Sequence, residues 1–141
     1  FTGDSRKELG KIFAEAYKAD AKDSFRQETY DSTLARGEIS PVWISIGMTP
    51  ALKDDGSLQM TVDEEIMAVA CAVQNLHLVL AAYGLIGMWL SRGAYVHPHT
   101  ASFLGLTAPS KLLGFFFCGW PNVAWPEGER KPLEQKVKWF R

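Results

Sequence analysis

The sequence is short of cysteine, balanced in charge and free of any long unbroken apolar run. Its 2 cysteines, Cys71 and Cys118, are too few for a disulfide framework and too far apart for a zinc site. Both are expected to be buried free thiols, which suits a reducing, cytoplasmic compartment. The 15 Lys and Arg against 16 Asp and Glu leave a net charge of -1. Nothing in that balance draws the chain to nucleic acid or to an anionic membrane surface. No continuous stretch reaches the roughly 18 apolar residues of a membrane span. There is no G-x-G-x-x-G motif, P-loop, Ser/His/Asp triad or catalytic carboxylate pair, and no internal repeat. No secretory leader is expected: the first basic residues precede no suitable apolar core, and opening on Phe1 instead of Met suggests that an upstream part is missing.

What is present is the composition of a soluble globular chain, 47% hydrophobic and 22% charged over 141 residues, a length that fits one domain. Residues 1–3 are expected to end a strand. Asp4 or Ser5 then caps a helix whose apolar stripe is Leu9, Ile12, Phe13, Ala16 and Tyr17. A more polar helix is expected over about 22–36, ending near Gly37. Residues 42–48 predict a strand buried on both faces, and 49–60 a polar loop.

Thr61-Val62-Asp63-Glu64 is a capping box that opens a long helix, stopped by Gly84. That helix is apolar nearly all round, so it belongs in a core or an interface. Gln74 and Asn75, as buried amides, are expected to hydrogen-bond to partners. Residues 85–90 read as a short strand or turn, 91–98 as a loop, 100–106 as a short helix, 111–120 as a strand covered on both faces, 121–132 as irregular, and 136–140 as an edge strand. The fold class expected is α+β, a small central sheet flanked by helices with one long central helix.

Several segments together resemble the nitroreductase family in its short, single-domain branch. They are the helix from Asp63 through Gln74-Asn75-Leu76 to Gly84, the run Ile86-Gly87-Met88-Trp89-Leu90-Ser91-Arg92-Gly93, Phe103-Leu104-Gly105-Leu106, Leu113 to Pro121, and Arg130-Lys131-Pro132 with Val137 and Trp139. The resemblance implies that residues 1–141 are the C-terminal portion of one nitroreductase-like domain lacking the N-terminal flavin-binding arm. It implies non-covalent FMN, NAD(P)H as co-substrate, and a homodimer with the long helix packed across the two-fold axis. It also implies ping-pong transfer of a hydride through the flavin to a nitroaromatic, quinone or similar small-molecule electron acceptor.

On this resemblance the cofactor-binding residues are Trp89, Leu90, Ser91, Arg92, Gly93 and Arg130. An aromatic ring and a hydroxyl in a turn suit the flavin ring and its polar edge. The guanidinium of Arg92 suits negative charge on a phosphate or a reduced flavin, and Arg130 a terminal phosphate. Gly93 permits close backbone approach. No catalytic side chain is required, because the cofactor carries the redox step, and no metal site is expected. His97 is taken as a substrate-side loop residue. The alternative reading is a non-catalytic dimerising remnant that has lost flavin binding.

Overall fold

The computed structural model describes residues 1–124 and 127–140. Residues 125 and 126, part of the segment expected to be irregular, lie outside the described residues, as does residue 141. The chain folds into α1 (Ser5–Ala21), α2 (Gln27–Ala35), β1 (Val42–Met48), α3 (Val62–Ala82), β2 (Ile86–Leu90), α4 (Pro98–Phe103) and β3 (Lys111–Gly119). The strands form a sheet in the order β1-β3-β2, antiparallel throughout. This is the expected α+β arrangement of helices about a small sheet with one long helix.

β3 is central, and alternation sends its side chains to two different layers. Phe115 packs with Leu9, Phe13, Trp43 and Leu112 under α1. Phe116 and Cys118 pack with Val73 under α3. Leu112 and Phe115 share a face although they are three apart, because the register slips between Ile46 and Gly47 and Leu113 is left over as a bulge. Gly114 sits at φ 125, a backbone state that side-chain-bearing residues rarely adopt.

The α1 side is a closed aromatic cluster. The Phe13 ring lies 5.0 Å from Phe115 and 4.8 Å from Tyr95, and Trp43 lies 5.0 Å from Phe117, spacings at which such rings attract beyond their area burial. α1 crosses the end of α2 so closely that a Cβ on Gly10 would meet the Leu34 carbonyl, and one on Gly37 the Arg6 carbonyl. Only glycine fits at that crossing.

Several expectations need correction. α1 begins after Asp4, but no side chain caps it; Asp4 pairs instead with Lys7 at 3.2 Å. The second helix is shorter than expected because residues 22–24 form a separate 3-10 turn. Residues 1–3 form no strand, although the Phe1 carbonyl accepts from the Trp43 amide at 3.0 Å and the Phe1 amine donates to the Trp43 carbonyl at 2.6 Å. β1 is not buried on both faces: Ile44 and Ser45, on opposite faces of this edge strand, are both exposed. Residues 136–140 form no strand; after a 3-10 turn at Leu133–Gln135 they carry Trp139 and Phe140 at 78% and 85% exposure.

The largest correction concerns α3. Its capping box is present, with Thr61 accepting from the Glu64 amide and Glu64 accepting from the Thr61 amide. Yet of its 21 residues only Val73 is buried. Gln74 and Asn75 are exposed and not buried amides, and Cys71 is an exposed thiol, while Cys118 is buried as expected. At about 100° per residue, Met67, Cys71, Asn75, Leu78 and Ala82 share one outward face. Leu78 is 60% exposed and Met67 58%. By length and composition alone α3 is also apolar enough to cross a membrane.

Candidate functional site

β2 and the turn after it carry five of the six residues singled out from sequence. Adjacent strand residues face opposite layers, so Trp89 and Leu90 part company. Trp89 packs on the α3 side against the Val73–Phe116–Cys118 cluster. Its indole N–H donates to the Leu113 carbonyl at 3.1 Å, tying β2 to the centre of the sheet. Leu90 packs on the α1 side against the aromatic cluster. Ser91 and Arg92 are exposed where the chain leaves the strand, and Gly93, at φ 56, starts a 3-10 turn over Gly93–Tyr95.

Leu90, Arg92 and Gly93 line one cleft of about 350 Å³ with Tyr17, Arg36 and Tyr95, a size at the lower end for small-molecule sites. Trp89 stands on the other side of the sheet. Arg130 is exposed and is not among the residues lining this cleft. The structure therefore brings three of the six together in this cleft and leaves Trp89, Ser91 and Arg130 out of its lining.

Two cleft residues escaped the sequence reading. Arg36 looks like an ordinary helix-end residue, and Tyr95 like a loop aromatic. Tyr95 is held by edge contact with Phe13 and by stacking on Trp43. Burial pushes its phenol above the ordinary range, against the opposing pull of the Arg36 and Arg92 charges. No sequence signal links residues 36 and 92, because the crossing of α1 over α2 creates the neighbourhood.

His97 is not free to meet a substrate. Its Nε2 lies 3.2 Å from the Asp20 carboxylate at the end of α1, and its Nδ1 accepts from the His99 amide at 3.1 Å at the start of α4. Both ring nitrogens are engaged in fixing α4 to α1, with Thr100 donating to the Ala94 carbonyl at 2.7 Å. Among the described residues no cluster of three His, Cys, Asp or Glu is placed to hold a metal ion. A second cleft of about 270 Å³ lies at the sheet end, walled by Pro41, Met88, Phe117 and Trp120 and without a charged lining residue.

No family model and no curated protein matches the chain by sequence. Solved structures do match it. A nitroreductase-like family protein from Bacillus cereus superposes with a TM-score of 0.72 at 22% identity, covering 99% of this chain and 70% of that one. Two point variants of NfnB, an FMN and NADPH-dependent nitroreductase from Sphigopyxis sp. strain HMH, superpose with TM-scores of 0.56 and 0.57 at 20% and 18% identity. There the match covers 96% of this chain and 58% of theirs, so this chain spans well under two thirds of the NfnB length. At such identities the likeness is one of architecture, and the architecture of this chain is the nitroreductase-like fold.

Proposed function

We propose that the chain is an FMN-dependent NAD(P)H oxidoreductase of the nitroreductase type, acting as a cytoplasmic homodimer on a nitroaromatic, quinone or similar acceptor by a ping-pong sequence. The reading takes residues 1–141 as one nitroreductase-like domain and involves neither nucleic acid nor a metal. One observation carries it: within a nitroreductase-like fold, the end of β2 opens into a cleft lined by Leu90, Arg92 and Gly93.

Those three residues fit a flavin's chemistry. Leu90 offers an apolar wall, and Gly93 has open space where a Cβ would stand, so its backbone can be approached closely. Arg92 supplies a positive charge for a phosphate or for the anionic edge of a reduced ring. The Trp89 indole N–H is already used on Leu113, so Trp89 fits as the residue that sets the position of the turn and not as a hydrogen-bond donor to the ring. Ser91 and Arg130, both exposed, remain available to polar groups of the cofactor. When bound, FMN supplies the exchange of hydride between nicotinamide and acceptor.

The outward face of α3 supports the dimer. Met67, Cys71, Leu78 and Val79 leave much apolar surface exposed on α3, interrupted by Asn75, and soluble monomers seldom present such a surface. A second copy of the chain, laid on the same helix, would bury it by two-fold symmetry. Gln74, Asn75 and His77 break the apolar run at its middle, which favours a protein partner over lipid.

The test is a titration of FMN into the purified chain, followed by flavin fluorescence and absorbance, with the protein's mass in solution measured alongside. Saturable quenching and bleaching of the bound flavin by NAD(P)H are expected, with Arg92→Gln weakening binding about tenfold. A monomer or dimer that takes up no FMN would contradict the flavin reading, and a flavin-free dimer would favour the non-catalytic alternative.

A further inference from the structure

We infer that Arg36 and Arg92 form an oxyanion-binding site in the cleft beside β2, taking the carboxylate or phosphate of a small molecule. The inference does not depend on the flavin reading, although Arg92 appears in both. Arg36 comes from the turn after α2 and Arg92 from the turn after β2, and both line the same cleft. Two positive charges on one cleft favour an anion there. Neither guanidinium forms an ion pair with a carboxylate among the described residues. The one acid in the cleft, Asp20, is engaged by His97 at 3.2 Å.

The surroundings are those of a recognition site more than of a solvated loop. The Tyr95 ring is held against Phe13 and Trp43, so this part of the cleft lining is fixed in place. Tyr17 also lines the cleft, its hydroxyl accepting from the Arg26 amide at 3.1 Å. A planar guanidinium fork suits an oxyanion better than a halide. The volume admits a molecule and not only an ion.

The test is a titration of the isotope-labelled chain with inorganic phosphate and with benzoate at constant ionic strength, read as amide shifts. Saturable shifts are expected at residues 33–36 and 92–95. Arg36→Gln and Arg92→Gln should each weaken them at least tenfold, and Arg36→Lys less. Lys7→Gln, in a separate groove lined by α1 and α2, should change nothing. Repeating the titration with FMN present identifies the source of the oxyanion: shifts that persist mean a second molecule, and shifts that FMN removes mean the flavin's own phosphate. Absence of saturable shifts, or shifts that survive both Gln variants or fall equally with Lys7→Gln, would overturn the site. Failure of FMN to bind leaves the phosphate and benzoate results readable.

Discussion

On one side of the sheet Leu9, Phe13, Trp43 and Phe115 are wholly out of water, while on the other only one residue of the 21 in α3 is buried. Both layers are fed by the same strand, since Phe115 faces one and Phe116 the other. The difference lies in what covers them. α1, α4 and the turn at Gly93–Tyr95 close over the first layer, and α2 buttresses α1 from outside. Among the described residues a single helix covers the second, and the outward face of that helix is bare. The first layer is closed over, whereas the second, although Phe116 is fully buried in it, is a half-core only if a second copy covers α3.

The comparison can be broken most severely at the finished core. Phe115→Ala should cost about 3–5 kcal/mol in denaturant unfolding, from lost burial plus a cavity that the rigid ring cluster cannot close. Gly10→Val should be of similar size, because its side chain would run into the Leu34 carbonyl. On the thin side, Val73→Ala should cost only about 1–2 kcal/mol. Equal losses for Phe115→Ala and Val73→Ala would show the two layers to be equally closed.

A smaller effect is expected at the start of α3. Thr61→Ala removes the capping box and should cost about 1 kcal/mol. The hydrogen bonds from Thr61 hold the Glu64 carboxyl below its ordinary pKa. Glu64 therefore lends stability above the ordinary glutamate range and loses it as pH falls through its depressed folded value. The acid limb of the stability profile should flatten in Thr61→Ala, and an unchanged limb would remove Glu64 from the account.

Thiol chemistry sharpens the contrast without changing stability. Cys118 is buried, and burial pushes its thiol pKa up, so a disulfide reagent should reach it only on unfolding. Cys71, exposed on the open back of α3, should react at once in dilute protein and more slowly as concentration rises and a partner covers it. Equal reactivity of Cys71 at all concentrations would leave that face without a partner.

The elements that local chemistry dictates were legible in the sequence. The Thr61–Glu64 box and Gly84 bound α3 to within a residue or two, and the run from Leu112 to Phe117 announced a strand wanted by two layers. What local chemistry cannot state is which side of an all-apolar helix meets the sheet. Cys71 and Val73 look alike in sequence, and they part only when the helix docks. The alternation at 136–140 predicted a strand, but pairing needs a neighbour, and none is offered there among the described residues. Of the candidate site, Leu90, Arg92 and Gly93 were named because their segment resembles the nitroreductase family. Tyr95, two residues further on, lay outside that resemblance, and Arg36 is distant in sequence and reaches the cleft only because α1 packs on both turns.

Sedimentation velocity of the chain beside Leu78→Asp tests the half-core directly. Leu78 is 60% exposed, so the substitution should leave far-UV dichroism and the monomer fold intact. The chain should sediment as a dimer at micromolar concentration and the variant as a monomer. A chain that stays monomeric, or a variant that stays dimeric, would mean that the open face of α3 is not where two copies meet.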